Sequence, residues 1–231
     1  MKKKISMILF DLLLFVSFVV SIFCSYNYVS FEMRKKQIED DISEELSVLN
    51  GSEYTLDYYK NYYHNEDIIG RLKIYNTKVD TLIVQSTNNE YYLNHTLEKK
   101  YDDRGSIFAD YRTDLSSKQI NIYGHNSNAY DLMFKELEKY LDNDYYEEHK
   151  HIELWDGIDK HIYEIFSVQI VTSNYEHMNI NSNDWSNHIS KLNNSIYDTK
   201  SIATVEDEIL IIQTCLYNPV NSLLLINAKE V

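Results

Sequence analysis

Two residues in this sequence carry side chains suited to nucleophilic catalysis, and both follow strand-like runs. Cys215 ends the stretch "EILIIQTC" and His125 ends the stretch "QINIYGH". A thiolate beside an imidazolium is a good nucleophile at neutral pH, because the cation lowers the pKa of the thiol. The pair therefore suggests cysteine catalysis. On these residues alone the alternative stays open, since the chain has eight histidines and a free cysteine is usually a core residue.

Other chemistry finds less support. The second cysteine, Cys24, ends an apolar run where a thiol acts as a small hydrophobe, and two cysteines exclude a disulfide framework. His149 and His151 form "HKH" without further cysteine or histidine at ligand spacing, so no metal site is predicted. The segment "DNDYYEE" lacks the EF-hand pattern, and five glycines form no phosphate-binding loop. No cofactor is predicted.

The charge distribution argues against a nucleic-acid partner. The 231 residues carry a net charge of -14, whereas nucleic-acid binders present a basic face. Residues 1–36 hold six basic and two acidic side chains, which leaves 16 basic and 34 acidic residues for the remainder. We therefore expect a strongly acidic folded part behind a basic N-terminal segment.

The N-terminal segment has the composition of a membrane anchor. Ile5–Phe23 contains one charged residue, Asp11, and about 20 apolar residues span a bilayer as a helix. No small-residue cleavage site follows, which favours an uncleaved anchor over a signal peptide. We expect residues 1–4 to form a cytoplasmic tail and residues 5–25 a transmembrane helix. The three lysines at positions 2–4 predict an N-terminus inside the cell and the bulk of the chain outside.

Residues 26–66 are predicted to form a helical segment between anchor and domain. Ile38, Ile42, Leu46 and Leu49 recur at helical spacing until Asn50 and Gly51 interrupt the pattern. A second helical stretch is predicted over 54–63. The high charge density leaves a partly ordered stalk as the alternative.

Residues 67–231 have the texture of a mostly β domain. Short apolar runs separated by turn residues are typical of strands. Helical patterns cover "AYDLMFKELEKYL" and "DWSNHISKLNNSIY". Many short strands with few helices predict a closed or nearly closed β-barrel with helical insertions. The strand-like runs lie in "IIGRLKIYNTKVDTLIVQ", "GSIFADYR", "QINIYGH", "HIELWDG", "KHIYEIFSVQIV", "EILIIQTC" and "SLLLINAKEV".

The order and wording of these segments resemble the class B sortases, membrane-anchored cysteine transpeptidases of Gram-positive bacteria. The resemblance runs from about residue 68 to residue 231. Its most specific elements are "YGHN", a following MF-x-x-L-x-x-Y and a C-terminal "TC". It implies an eight-stranded β-barrel with a long helix-bearing connection at about residues 172–205.

The resemblance also implies roles. Cys215 matches the nucleophile and His125 the general acid. The implied reaction cleaves a sorting signal through a thioester and transfers the acyl group to an amine of a cell-wall precursor or a pilin. The implied partners are sorting-signal-bearing surface proteins or pilins, together with the membrane. Asn89, Leu93, Tyr123 and Thr214 match groove positions. A core role for Leu93 and Tyr123, and strand pairing for Thr214, remain open.

One position departs from the family. An essential arginine is expected eight residues after the cysteine, where this chain has Leu223. No arginine follows Arg112, and Gln213 replaces a small hydroxyl residue. Loss of one oxyanion donor costs about 3 kcal/mol. Arg104 is the leading stand-in cation, ahead of Arg112.

Two further explanations remain open for the missing arginine. In the first, backbone N–H groups are sufficient to stabilise the oxyanion. In the second, the protein is a catalytically impaired sortase-fold protein that binds sorting signals or pilins and assists surface assembly. Asn218 and Asn221 are also hydrogen-bond donors near the cysteine, but their default role is turn formation.

Overall fold

The computed structural model describes residues 2–50, 55–172 and 184–231, with side chains described from residue 13 onward. The chain forms two compact units, residues 1–44 and 45–231. Helix α1, Lys2–Asn50, is one uninterrupted helix through both the predicted anchor and the first predicted stalk helix. Its sequence contains neither glycine nor proline to break it. Within the described residues, Leu13–Leu49 is long and apolar enough to cross a membrane.

A second helix follows as predicted. Helix α2 spans Leu56–Tyr63, and the hydroxyl of Thr55 accepts a hydrogen bond from the Tyr58 N–H at its start. Tyr59 and Tyr63, four residues apart on one face, are buried. Residues 51–54, which include Gly51 and the predicted first residue of this helix, lie outside the described residues.

The predicted β-barrel is confirmed. Eight strands in the described residues close into one barrel in the order β1-β2-β3-β4-β7-β8-β6-β5. Closure removes the unpaired edges that an open sheet exposes. The strands are β1 (Ile68–Ile74), β2 (Asp80–Val84), β3 (Phe108–Ala109), β4 (Gln119–Tyr123), β5 (His151–Trp155), β6 (Lys160–Thr172), β7 (Ile209–Leu216) and β8 (Ser222–Glu230).

The helical stretch predicted over 129–141 is shorter in the structure. It is a 3₁₀ helix, Met133–Leu141, followed by the short helix α3, Asn143–Glu148. Phe134, Leu137 and Tyr140 are almost fully buried. Their spacing of three residues matches the three-residue turn of a 3₁₀ helix, so one narrow face meets the barrel.

The connection between β6 and β7 carries helix α4, Trp185–Leu192, as predicted. Residues 173–183 of this connection lie outside the described residues. Buried side-chain amides hold the C-terminal end of α4 on the barrel. Gln169 Nε2 donates to the carbonyls of Lys191 and Leu192 at 2.8 and 3.3 Å, and Asn227 Nδ2 donates to Leu192 O at 3.4 Å. These bonds satisfy carbonyls that a helix end leaves without partners.

Candidate active site

The pairing of β4 with β7 brings the segments that carry the two candidate catalytic residues to the same edge of the barrel. The strands are parallel, and Tyr123 pairs with Gln213 at the end of the ladder. His125 and Cys215 each lie two residues beyond that pair, so both emerge at the same edge of the barrel. Residues two apart in extended chain share a face of the sheet. Tertiary structure therefore brings together residues 90 positions apart in sequence.

Thr214 secures this alignment. The Gly124 N–H donates to Gln213 O at 3.2 Å, and Thr214 Oγ1 donates to Gly124 O at 2.8 Å. Thr214 is only 2% exposed. The strand-pairing interpretation of Thr214 thus has direct structural support, and its role in a substrate groove stays a prediction.

A backbone carbonyl orients the His125 ring. His125 Nε2 lies 2.8 Å from Leu93 O, at the end of a second 3₁₀ helix, Tyr91–Leu93. A carbonyl can only accept, so in the neutral ring the proton resides on Nε2 and Nδ1 is the nitrogen that exchanges a proton. Leu93 thus contributes its carbonyl, while its side chain is 41% exposed.

Gly105 packs directly against this carbonyl. It has φ +62°, and a Cβ there would lie 2.7 Å from Leu93 O and 2.4 Å from Tyr92 O. Glycine is therefore required both by the left-handed backbone and by the close approach. The position of the Leu93 carbonyl depends on this packing.

The Cys215 thiol is exposed at the end of β7. Partial burial raises the pKa of the Cys215 thiol. This direction opposes the lowering that a cationic neighbour produces, so formation of the thiolate depends on proton transfer to a base such as His125.

Leu223 is the direct cross-strand partner of Cys215. β7 and β8 are antiparallel, and the register pairs Cys215 with Leu223 and Thr214 with Leu224. Cβ atoms of directly opposed residues lie about 5 Å apart on one face. Leu223 packs against an apolar cluster beneath α4 that includes Ile189, Leu192 and Leu225. Tertiary structure thus places Leu223, the residue at which the sequence resemblance led us to expect an arginine, opposite Cys215.

The turn between β7 and β8 contains both asparagines that follow the cysteine. Asn221 has φ 60°, a left-handed conformation that asparagine tolerates better than most residues. Asn218 precedes Pro219 in the same turn. The turn-forming interpretation is confirmed for Asn221.

The two candidate stand-in arginines are engaged by aspartates. Arg104 donates through its Nε and one terminal nitrogen to Asp102 at 2.9 and 2.8 Å, and its side chain is 13% exposed. Arg112 makes the same two-pronged contact with the buried Asp110, at 2.8 and 2.6 Å. An arginine held in such a fork must release its partner before it can serve another anion.

Asp110 also accepts hydrogen bonds from two of the predicted groove residues. Its carboxylate accepts from Tyr123 Oη at 2.8 Å and from Asn89 Nδ2 at 3.0 Å. Burial alone would raise the pKa of Asp110, but hydrogen bonds from Arg112, Tyr123 and Asn89 lower it below its usual range. Tyr123 is 7% exposed and packs on Phe108. Groove roles for Asn89 and Tyr123 stay predictions.

Asn126, which the sequence did not single out, contacts the backbone of the candidate nucleophile and is bound in turn by Glu138. Asn126 Nδ2 donates to Cys215 O at 2.9 Å and to Glu138 Oε1 at 2.6 Å. Both residues belong to the quoted motifs, Asn126 as the last letter of "YGHN" and Glu138 within the following helix. Motif membership was the available signal, but the sequence offers no reason to connect either side chain with Cys215.

The chain is similar in sequence and in structure to known sortases B. No known family profile matches the chain. It is 32% identical over 157 residues to sortase B of Listeria monocytogenes and to sortase B of Staphylococcus aureus, in each case over 65% of this chain. The structure of Clostridium perfringens sortase B superposes with a TM-score of 0.70 and 28% identity, covering 76% of this chain and 98% of that one. The fold is that of sortase B. The chain matches 63% and 64% of the two curated sortase B sequences, which is less than two thirds of either.

Within the sortase B fold, the described elements account for the predicted architecture. The closed barrel, the helices before it and the helix-bearing connection between β6 and β7 all appear. The candidate nucleophile and acid lie at the ends of two adjacent parallel strands.

Proposed function

We propose that this protein is a sortase-type cysteine transpeptidase. The observation that carries the proposal is the β4–β7 register in a sortase B fold, because His125 and Cys215 each follow two residues after the paired Tyr123 and Gln213. The substrates we infer are surface proteins or pilins that bear a C-terminal sorting signal. The acceptor is an amine of a cell-wall precursor or a pilin.

The reaction proceeds in two acyl transfers. Cys215 Sγ, having given its proton to His125, attacks the carbonyl carbon of the scissile peptide bond. The C–N bond breaks, His125 returns a proton to the leaving amine, and the acyl group remains as a thioester. An acceptor amine then attacks the thioester carbon, His125 takes the proton released by that amine, and the C–S bond breaks. Proton transfer to the sulfur restores the thiol.

The apolar neighbour of the thiol sets the expected rate. Leu223 donates no hydrogen bond to the oxyanion and supplies no charge to favour the thiolate. Arg104 and Arg112 are each held by an aspartate. We therefore propose slow turnover in which backbone N–H groups stabilise the oxyanion, with Arg104 as the side chain that would act if its pair with Asp102 opened.

We also propose the orientation of the chain. Helix α1 is apolar over a membrane-spanning length, and three lysines precede that stretch. Positive residues favour the cytoplasmic side, which places the barrel outside the cell. This location gives the site access to surface proteins and cell-wall precursors.

The decisive experiment traps the thioester. The full chain in detergent is incubated with a panel of sorting-signal peptides, quenched in acid and analysed by mass spectrometry. We expect an acyl adduct that disappears in Cys215→Ala and persists in Cys24→Ser, the matched control at the other cysteine. Peptide binding without an adduct would instead identify a sortase-fold binding protein. An adduct that survives in Cys215→Ala would contradict the assignment of the nucleophile.

A further inference from the structure

Side chains continue the contact between the two catalytic segments after the β4–β7 ladder ends. Thr214 Oγ1 donates to Gly124 O, Asn126 Nδ2 donates to Cys215 O at 2.9 Å, and Tyr217 Oη donates to Asn126 O at 3.2 Å. His125 lies between the two residues of its loop that make these bonds. Beyond the backbone bond from Gly124 N–H to Gln213 O, these side-chain bonds hold the His125 loop against the end of β7.

Asn126 is the central member of this set. Its two amide hydrogens meet two acceptors, Cys215 O and Glu138 Oε1. Only this amide orientation works, because the opposite one would set an oxygen against both acceptors. Asn126 is 5% exposed, so an incorrectly oriented amide would gain little from water.

Glu138 anchors Asn126 from the 3₁₀ helix. Its other oxygen accepts from Lys135 Nζ at 2.6 Å. Burial alone would raise the pKa of Glu138, but the hydrogen bonds from Lys135 and Asn126 lower it. Glu138 is thus a carboxylate at neutral pH, and hydrogen bonds to an ionised acceptor are about twice as strong as neutral ones.

We propose that Asn126 is a positioning residue for the acyl-transfer reaction. By holding the Cys215 carbonyl, it keeps the thiol in register with His125, whose own ring is fixed by Leu93 O. This inference rests on the proposed function. The competing explanation is that Asn126 only tethers the 3₁₀ helix Met133–Leu141 through Glu138.

A polarity swap separates these two roles. In the double variant Asn126→Asp with Glu138→Gln, the glutamine amide donates to the aspartate, so the link to the 3₁₀ helix is retained in reverse. The aspartate has no hydrogen to give to Cys215 O. The single variant Glu138→Gln is the matched control, because glutamine still accepts through its oxygen and the bond from Asn126 to Cys215 remains.

The measurements use the full chain in detergent with a Cys24→Ser background. They are the melting temperature, kcat and KM for peptide cleavage, and the pH dependence of Cys215 alkylation by iodoacetamide. We expect Glu138→Gln to keep the wild-type kcat. Asn126→Ala and the double variant should lose about 100-fold in kcat with little change in KM, since small misplacements of reacting groups have costs of that order. The melting temperature of the double variant should be close to that of Glu138→Gln.

The alkylation profile makes the test independent of turnover. In the wild-type chain, the plot of alkylation rate against pH should show a step, and the loss of this step in His125→Ala would assign it to His125. The same step should be lost in Asn126→Ala and in the double variant. If wild type cleaves no peptide but this pattern holds, the proposed function fails and the positioning role stands. Recovery of kcat in the double variant, or persistence of the step in both Asn126 variants, overturns the positioning role. If Asn126→Ala does not fold, the double variant decides the question.

Discussion

The two strands that flank Cys215 provide opposite surroundings for its thiol. On the β4 side, polar contacts hold the loop that carries His125. The ring donates through Nε2 to Leu93 O, while Asn126 donates to Cys215 O and Thr214 donates to Gly124 O. On the β8 side, the directly opposed residue is Leu223, packed into an apolar cluster. One flank is built for proton transfer, whereas the other supplies neither charge nor a side-chain donor. If the position opposite Cys215 is the one that stabilises the oxyanion, as we propose, Leu223 lacks the chemistry for that role.

The strongest test of the polar flank removes its acid. We expect His125→Ala to reduce kcat for peptide cleavage by about 10²–10⁴-fold, the usual contribution of general acid–base catalysis. The reason is that an amine leaves poorly without a proton. His149→Ala serves as the matched control, because His149 contacts Tyr145 in helix α3. Equal rates for the wild type and His125→Ala would remove His125 from the mechanism.

The test of the apolar flank restores its missing donor. We expect Leu223→Arg to raise kcat about 10-fold, since a charged donor opposite the thiol stabilises both thiolate and oxyanion. Leu223→Met is the control for altered packing. A fast wild type that is slowed by Leu223→Arg and inactivated by Arg104→Ala would show instead that Arg104 carries the role.

A smaller effect should follow from the bond that ties the flanks together. Thr214→Val keeps the side-chain volume but removes the donor to Gly124 O, so we expect a loss of about 1 kcal/mol in the free energy of unfolding. Denaturant titration measures this loss. Thr214→Ser retains the hydroxyl, and should keep kcat where Thr214→Val lowers it. Equal kcat in the two variants would limit Thr214 to ordinary strand pairing.

The smallest effect concerns the far end of β8, away from the site. There His161 Nδ1 lies 2.7 Å from Glu230 Oε1, and Asp156 lies 3.5 Å from the other ring nitrogen. The hydrogen bond to Glu230 raises the pKa of His161 above its usual 6.5. The folded chain then holds the proton more tightly than the unfolded chain, so this stabilisation is complete below about pH 6.5 and is lost as pH rises through the folded pKa.

Thermal unfolding between pH 6 and pH 8 tests this coupling. We expect the melting temperature to fall with rising pH and His161→Gln to flatten the slope. His95→Gln, at a histidine that stacks on Tyr91, is the control. An unchanged slope in His161→Gln would assign the pH dependence to other groups, such as Glu208, whose pKa is also raised by burial and by its contact with Glu230.

Much of the fold follows from local sequence patterns. Alternating and continuous apolar runs predicted the strands, because side chains alternate between the faces of a sheet. The absence of glycine and proline from residues 2–50 explains the uninterrupted α1. The helical stretch predicted over 129–141 begins later, at Met133, and the sequence pattern did not specify that it is a 3₁₀ helix.

What the sequence by itself determined is which residue types are present: a cysteine and a histidine at strand ends, and a leucine where an arginine was expected. Tertiary structure decided what each one touches. The register of parallel β4 and β7 brought the segments that end in His125 and Cys215 to one edge of the barrel, and a contact across 89 positions gave Asn126 its partner. Sequence could not supply these contacts, because a strand pattern specifies which face is buried but not which strand lies alongside.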